Sequence, residues 1–167
     1  MKKAAEILEG LKACNIGLAA SVPCVNLSSL LKCIDDSEIK HVAVSREEEG
    51  VGICAGAHLG GMNAVLIMQN SGLGNSINAL ASLDLLYNIP LLMIMSHRGV
   101  ENESVCAQVP MGELTIPLLN DLGIPYLEIK GGDDGKNAVL KAWECAESQQ
   151  KPSAVLVKPS YWKKVSE

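Results

Sequence analysis

Apolar and polar positions alternate in blocks along this chain. The spacing in AAEILEGLKAC (4–14) predicts a helix, and the apolar run IGLAASV (16–22), closed by Pro23, predicts a strand. LSSLLKCIDD (27–36) returns to helical spacing, with Asn26 or Ser28 available as a cap. KHVAVS (40–45) reads as a strand and leads into a helix that opens on three glutamates, REEEGVGICAGAHLGG (46–61). NAVLIMQ (63–69) is an uninterrupted buried strand, and NSGLGNSINALASLDLLYN (70–88) turns through glycine into another helix. IPLLMIMS (89–96) is the next strand, followed by the long connection 97–110. A helix at about 111–122, the strand PYLEIK (125–130), a helix near 134–149 and the strand SAVLVK (153–158) complete the pattern.

Six short apolar strands separated by helices predict an α/β fold: one doubly wound parallel sheet with helices on both faces. With no internal repeat or linker, residues 1–167 are expected to form a single domain. Ligands in such sheets bind beyond the carboxyl ends of the strands, which singles out the loops 22–27, 44–50, 69–76 and 96–110.

Composition narrows the function classes. Hydrophobic residues make up 48% and charged residues 20%, as in a globular protein, and the net charge of −5 gives nucleic acid no basic stripe. The longest apolar run, IPLLMIM (89–95), is too short to span a membrane. The start MKKAAEILEG lacks the apolar core of a signal peptide, so a cytoplasmic location is expected. The six cysteines include no CxxC pair, which argues for thiols used in packing and against a zinc site. Phenylalanine is absent, and six methionines are available to fill the gaps.

The glycine turn at 72–74 lacks the third glycine of a dinucleotide fingerprint, since Ile77 stands there, and no GK[ST] follows to make a phosphate loop. Its load of Gln69, Asn70, Ser71, Asn75 and Asn78 nevertheless suits a binding loop more than a connector. Ser45 with Glu48 matches a capping box, and acidic side chains suit a helix N-terminus. Capping leaves Glu47 and Glu49 unexplained, and it does not account for Gly50, Gly52 and Gly56 inside the same helix. Each glycine there costs about 1 kcal/mol relative to alanine. Close approach of another backbone or a flat ligand would supply a reason. His97 and Arg98 lie at the end of a buried strand, where a guanidinium suits a carboxylate, phosphate or sulfonate; His58, within a helix, is a weaker candidate. Cys24 has no identified histidine partner and is read as packing or wall. GGDDGK (131–136) reads as a turn with an acidic helix start.

Taken together, VPC (22–24), REEEGVGICAGAHLGG (46–61), MQNSGLGNSINALASL (68–83), SHRG (96–99), AQVPMG (107–112) and LLNDLGIPY (118–126) resemble one family. It is the pyrimidine-binding domain of thiamine-diphosphate-dependent decarboxylases, in the branch of the sulfopyruvate and phosphonopyruvate decarboxylases. There a glutamate opens the helix and a glycine follows nine positions later; Gly56 selects Glu47 here, with Glu48 and Glu49 as neighbouring registers.

The resemblance implies that Glu47 hydrogen-bonds N1′ of the cofactor's aminopyrimidine, favouring the imino tautomer that deprotonates the thiazolium C2. It implies that Pro23, Gln69, Asn70, Ser71, Gly72 and Leu73 line the cofactor site and that His97 and Arg98 approach the substrate's anionic head. The implied reaction is decarboxylation of 3-sulfopyruvate to sulfoacetaldehyde in coenzyme M biosynthesis, with phosphonopyruvate or another 2-oxo acid as the alternative substrate. The chain carries neither a diphosphate-binding half nor the family's metal motif. A separate beta subunit is therefore expected to hold the diphosphate and Mg²⁺, within a hetero-oligomer that is inactive without it. A non-catalytic α/β nucleotide-binding or assembly module, whose glutamates only cap a helix, is the contrasting possibility.

Overall fold

Strand parity decides which helices lie where. In β3 (Asn63–Gln69), Val65 and Ile67 face one apolar layer, while Ala64, Leu66 and Met68 face the other. The computed structural model describes residues 2–101 and 103–163. With β1 (Ile16–Ser21), β2 (Lys40–Ala43), β4 (Leu92–Ser96), β5 (Tyr126–Ile129) and β6 (Ser153–Val157), β3 forms one six-stranded sheet. The order is β2-β1-β3-β4-β6-β5 and every pairing is parallel. The doubly wound α/β fold expected from the alternation is the one found.

The helices α1 (Lys2–Ala13), α2 (Ser28–Asp35) and α6 (Gly135–Gln149) supply apolar residues to the first layer. The helices α3 (Glu47–Leu59), α4 (Ser71–Ala79) and α5 (Val109–Asp121) supply the second. The chain moves outward from β1 to β2, then crosses back over β1 through α3 to reach β3. This reversal opens a crevice between the carboxyl ends of β1 and β3, the position where ligands bind in such sheets.

Local details depart from the sequence reading. Neither Asn26 nor Ser28 caps α2: Leu27 is the cap residue, and Ser28, already helical, donates its hydroxyl to the Val25 carbonyl. The capping box is one residue out of register. The carboxylate of Glu49 accepts the backbone N–H of Ser45 and Arg46, while Glu48 pairs with the Arg46 guanidinium. The helix expected across 70–88 widens into a π-helical segment at Leu80–Leu85. Edge strand β2 is tied in by His41, whose ring nitrogens contact Ser21 Oγ at 2.7 Å and Asp35 Oδ1 at 2.6 Å. That chain resembles a nucleophilic triad, but the Ser21 hydroxyl is wholly buried and can meet no substrate.

Gly50 has its reason within the chain, since a Cβ there would stand 2.5 Å from the Leu66 side chain. Gly52 and Gly56 do not, because both look into open space. Among the described residues, no helix is long and apolar enough to cross a membrane.

The π-helical segment buries Asp84 completely, and among the described residues both its carboxylate oxygens have no hydrogen-bond partner. Burial pushes its pKa up from 3.8 to about 7. The folded protein thus binds more protons than the unfolded chain between those values, and stability must fall as pH rises through that window. We expect the melting temperature of Asp84→Asn, relative to wild type, to improve as pH climbs from 5 to 8. The differential is bounded by roughly a few kcal/mol. Parallel melting curves at the two pH values would refute a neutral Asp84.

Candidate active site

The crevice between β1 and β3 is built from the starts of α3 and α4 and from the chain leaving β1, β3 and β4. Glu47 is the first residue of α3 and only 8% exposed. Its carboxylate lies against Gly72 in the first turn of α4. A Cβ on Gly72 would stand 2.6 Å from both Cδ and Oε1 of Glu47, so only glycine leaves this room. Asn75 donates its amide to Oε2 of Glu47 at 3.0 Å. Among the described residues no hydrogen bond engages Oε1. The three glutamates have separate tasks: Glu47 enters the crevice, Glu48 pairs with Arg46, and Glu49 caps.

A second polar group spans the strand ends. Gln69, last in β3, donates from Nε2 to Ser71 Oγ at 2.7 Å and to Gln108 Oε1 at 2.9 Å. Cys24 Sγ lies 3.2 Å from Ser96 Oγ and 3.9 Å from Gln69 Oε1, bridging β1, β3 and β4. Pro23 is exposed beside it. Among the described residues, no three His, Cys, Asp or Glu side chains gather as a metal centre.

Several sequence candidates turn inward. Asn70 is fully buried: Nδ2 donates to Thr115 Oγ1 at 2.8 Å and to the Arg98 carbonyl, while Oδ1 accepts the Arg98 N–H. Leu73 points its side chain into the second apolar layer. His97 is 1% exposed, with Nε2 3.3 Å from the Gly112 carbonyl and Nδ1 3.4 Å from Glu128, so its ring braces α5 and β5. Arg98 remains near the crevice, but its guanidinium is clamped by Glu103 at 2.6 and 2.7 Å. Glu47, Gln69, Ser71 and Gly72 are therefore brought together, while Asn70, Leu73 and His97 hold the scaffold. Glu103, Ser96 and Gln108 were not singled out by the sequence reading; Asn75 stood only among the polar loop residues.

A family model described as the thiamine pyrophosphate enzyme N-terminal TPP binding domain matches residues 1–116. The chain belongs to this family. Sulfopyruvate decarboxylase subunit alpha of Methanococcus maripaludis is 47% identical over 148 residues, covering 88% of this chain and 89% of the relative. A protein named sulfopyruvate decarboxylase from Methanosarcina acetivorans is 38% identical over 94% of this chain, yet the match takes up only 40% of that longer protein. Among solved structures, benzoylformate decarboxylase from Polynucleobacter necessarius superposes with a TM-score of 0.77 at 17% identity. The match covers 99% of this chain and 31% of that one, a likeness of fold. In this chain, Glu47 and Gly72 occupy the seam between the first turns of α3 and α4.

Glu103 also organises the loop after β4. Its carboxylate accepts from the Arg98 side chain and from the backbone N–H of Gly99 and Val105. Gly99, at φ +81°, lies against Gly112, where a Cβ would be 2.8 Å from the Gly112 Cα. The Arg98 side chain, followed by the Val105 N–H, holds the Glu103 pKa down from 4.5 to about 2. This clamp is complete above pH 4.5 and is lost as pH falls from there through 2. Glu103→Gln should therefore raise hydrogen exchange across 98–108 at neutral pH without unfolding the sheet. Exchange rates equal to wild type would show that the loop does not depend on the carboxylate.

Proposed function

We propose that this chain is the alpha subunit of a thiamine-diphosphate-dependent sulfopyruvate decarboxylase. Residues 1–167 act as one pyrimidine-binding unit, and the reaction converts 3-sulfopyruvate to sulfoacetaldehyde and CO₂ in coenzyme M formation. The observation that carries the proposal is the carboxylate of Glu47, almost buried, with Oε1 unclaimed among the described residues and lying over a gap that only glycine leaves. An aminopyrimidine ring requires a carboxyl group at N1′ and a close, flat approach to backbone, and these residues fit it.

When bound, thiamine diphosphate supplies a carbon nucleophile and an electron sink for the bond to CO₂. Glu47 would hold and share a proton at the ring nitrogen N1′ through Oε1. Gly72 would leave the Glu47 carboxylate its place beside the ring. Gln69 and Ser71, already linked at 2.7 Å, would present polar groups beside it, and Pro23 would form part of the wall. Arg98, placed after β4, would offer a cation to the substrate's anionic head, although Glu103 must share it.

A separate beta subunit would hold the diphosphate and Mg²⁺. The longer Methanosarcina acetivorans relative supports this, since the match takes up only 40% of a protein named as the decarboxylase without a subunit label. Gly52 and Gly56, exposed with nothing within 4 Å, leave the outer side of α3 open for a partner's close approach.

The test is CO₂ release from 3-sulfopyruvate by the co-expressed alpha and beta chains with thiamine diphosphate and Mg²⁺, with phosphonopyruvate as the competing substrate. Turnover requiring both chains is expected, with preference for the sulfonate. Glu47→Gln in an intact complex should lose at least ~100-fold in kcat, as befits a proton-sharing group. A loaded complex that ignores 3-sulfopyruvate would overturn the substrate, and an active Glu47→Gln would overturn the site.

A further inference from the structure

Gly72 and Asn75 are three residues apart on α4 and so share one helix face. Glu47 lies across that face, with Cγ, Cδ and Oε1 over the Gly72 gap and Oε2 under the Asn75 amide at 3.0 Å. Among the described residues no other side chain hydrogen-bonds Glu47, and the neighbouring Arg46 guanidinium is already taken by Glu48. A carboxylate can turn about its Cγ–Cδ bond and present either oxygen. An amide N–H on one of them fixes which oxygen remains. The donor is also neutral: unlike a lysine or arginine at the same place, it holds the carboxylate without cancelling its charge.

We infer that Asn75 is a positioning residue, pinning Oε2 of Glu47 so that Oε1 alone meets the aminopyrimidine nitrogen. This rests on the reading of Glu47 given above. Asn75 is exposed and its side chain adds nothing to the apolar layers, so replacing it leaves the fold intact.

Two variants separate the donor from its shape. Asn75→Ala removes the side chain; Asn75→Asp keeps its outline but exchanges the donor for a second carboxylate facing Glu47. Both are measured in the assembled alpha–beta complex loaded with thiamine diphosphate and Mg²⁺. Readouts are kcat, KM and the near-ultraviolet circular-dichroism signal of the imino form of the bound aminopyrimidine. Loss of a hydrogen bond to a charged group should lower kcat about tenfold or more in Asn75→Ala. KM should stay within about twofold. Asn75→Asp should be worse still, with the imino signal falling in the same order. A merely structural role predicts the reverse, with the shape-preserving Asn75→Asp the milder change.

Wild-type kcat and imino signal in Asn75→Asp, beside an inactive Glu47→Gln, would overturn the inference about Asn75 and leave the proposed function standing. Full turnover in Glu47→Gln would overturn the proposed function, and the role of Asn75 with it.

Discussion

A carboxylate set into a nearly closed seam must be held without being neutralised, and the arrangement around the crevice follows from that requirement. Glu47 meets it by standing at the first position of α3, where the helix dipole favours negative charge. Gly72 provides clearance, and Asn75 provides one neutral hydrogen bond. These conditions need α3 and α4 to begin side by side. The sheet order supplies that, because β1 lies between β2 and β3 and α3 must cross it before the chain enters β3 and turns into α4. Gly50 then lets α3 settle onto Leu66, bringing its first turn down to the strand ends.

The fold was readable because the central strands are apolar on both faces. β3, β4 and β6 are buried along nearly their whole length, and their runs stand out in the sequence. Every strand but β3 came out shorter than read, most of all β4, because Ile89, Pro90 and Leu91 are buried and apolar without being in the strand. The π-helical widening at Leu80–Leu85 was not legible, because one residue more per turn leaves a helical-looking pattern intact. The capping box was misread for a related reason. Both Ser45 with Glu48 and Arg46 with Glu49 have the required spacing, and residue preference favours serine. The backbone instead begins its helix after Arg46.

The site was less legible than the fold because polar residues at strand ends can point to either layer. Parity carried a little beyond the strand explains the inward ones. Asn70 continues the series of Ala64, Leu66 and Met68, and His97 continues that of Met93 and Met95. Both series face α5, and both side chains meet it: Asn70 at Thr115 and His97 at the Gly112 carbonyl. Gln69 belongs to the other series and finds Ser71 and Gln108. Glu103 could not be found this way, since it lies in irregular chain and its worth comes from converging backbone amides. Selecting Glu47 from three glutamates depended on the family resemblance; capping alone would have chosen a neighbour.

The electrostatics of the crevice bear on which part of a cofactor it suits. Its polar atoms come from amides, hydroxyls, a thiol and one carboxylate: Gln69, Gln108, Asn75, Ser71, Ser96, Cys24 and Glu47. Arg98, the cation after β4, is matched by Glu103, which leaves the pair without net charge. A heteroaromatic ring with one basic nitrogen is well served by such a set. A diphosphate is served less well, because Glu47 would repel it and the Arg98 guanidinium is already held by Glu103. The polarity of the crevice thus suits the ring of the proposed cofactor better than its charged end. It also gives a reason for holding Glu47 with an amide, because a cation placed here to bind diphosphate would remove the basicity that the ring nitrogen requires.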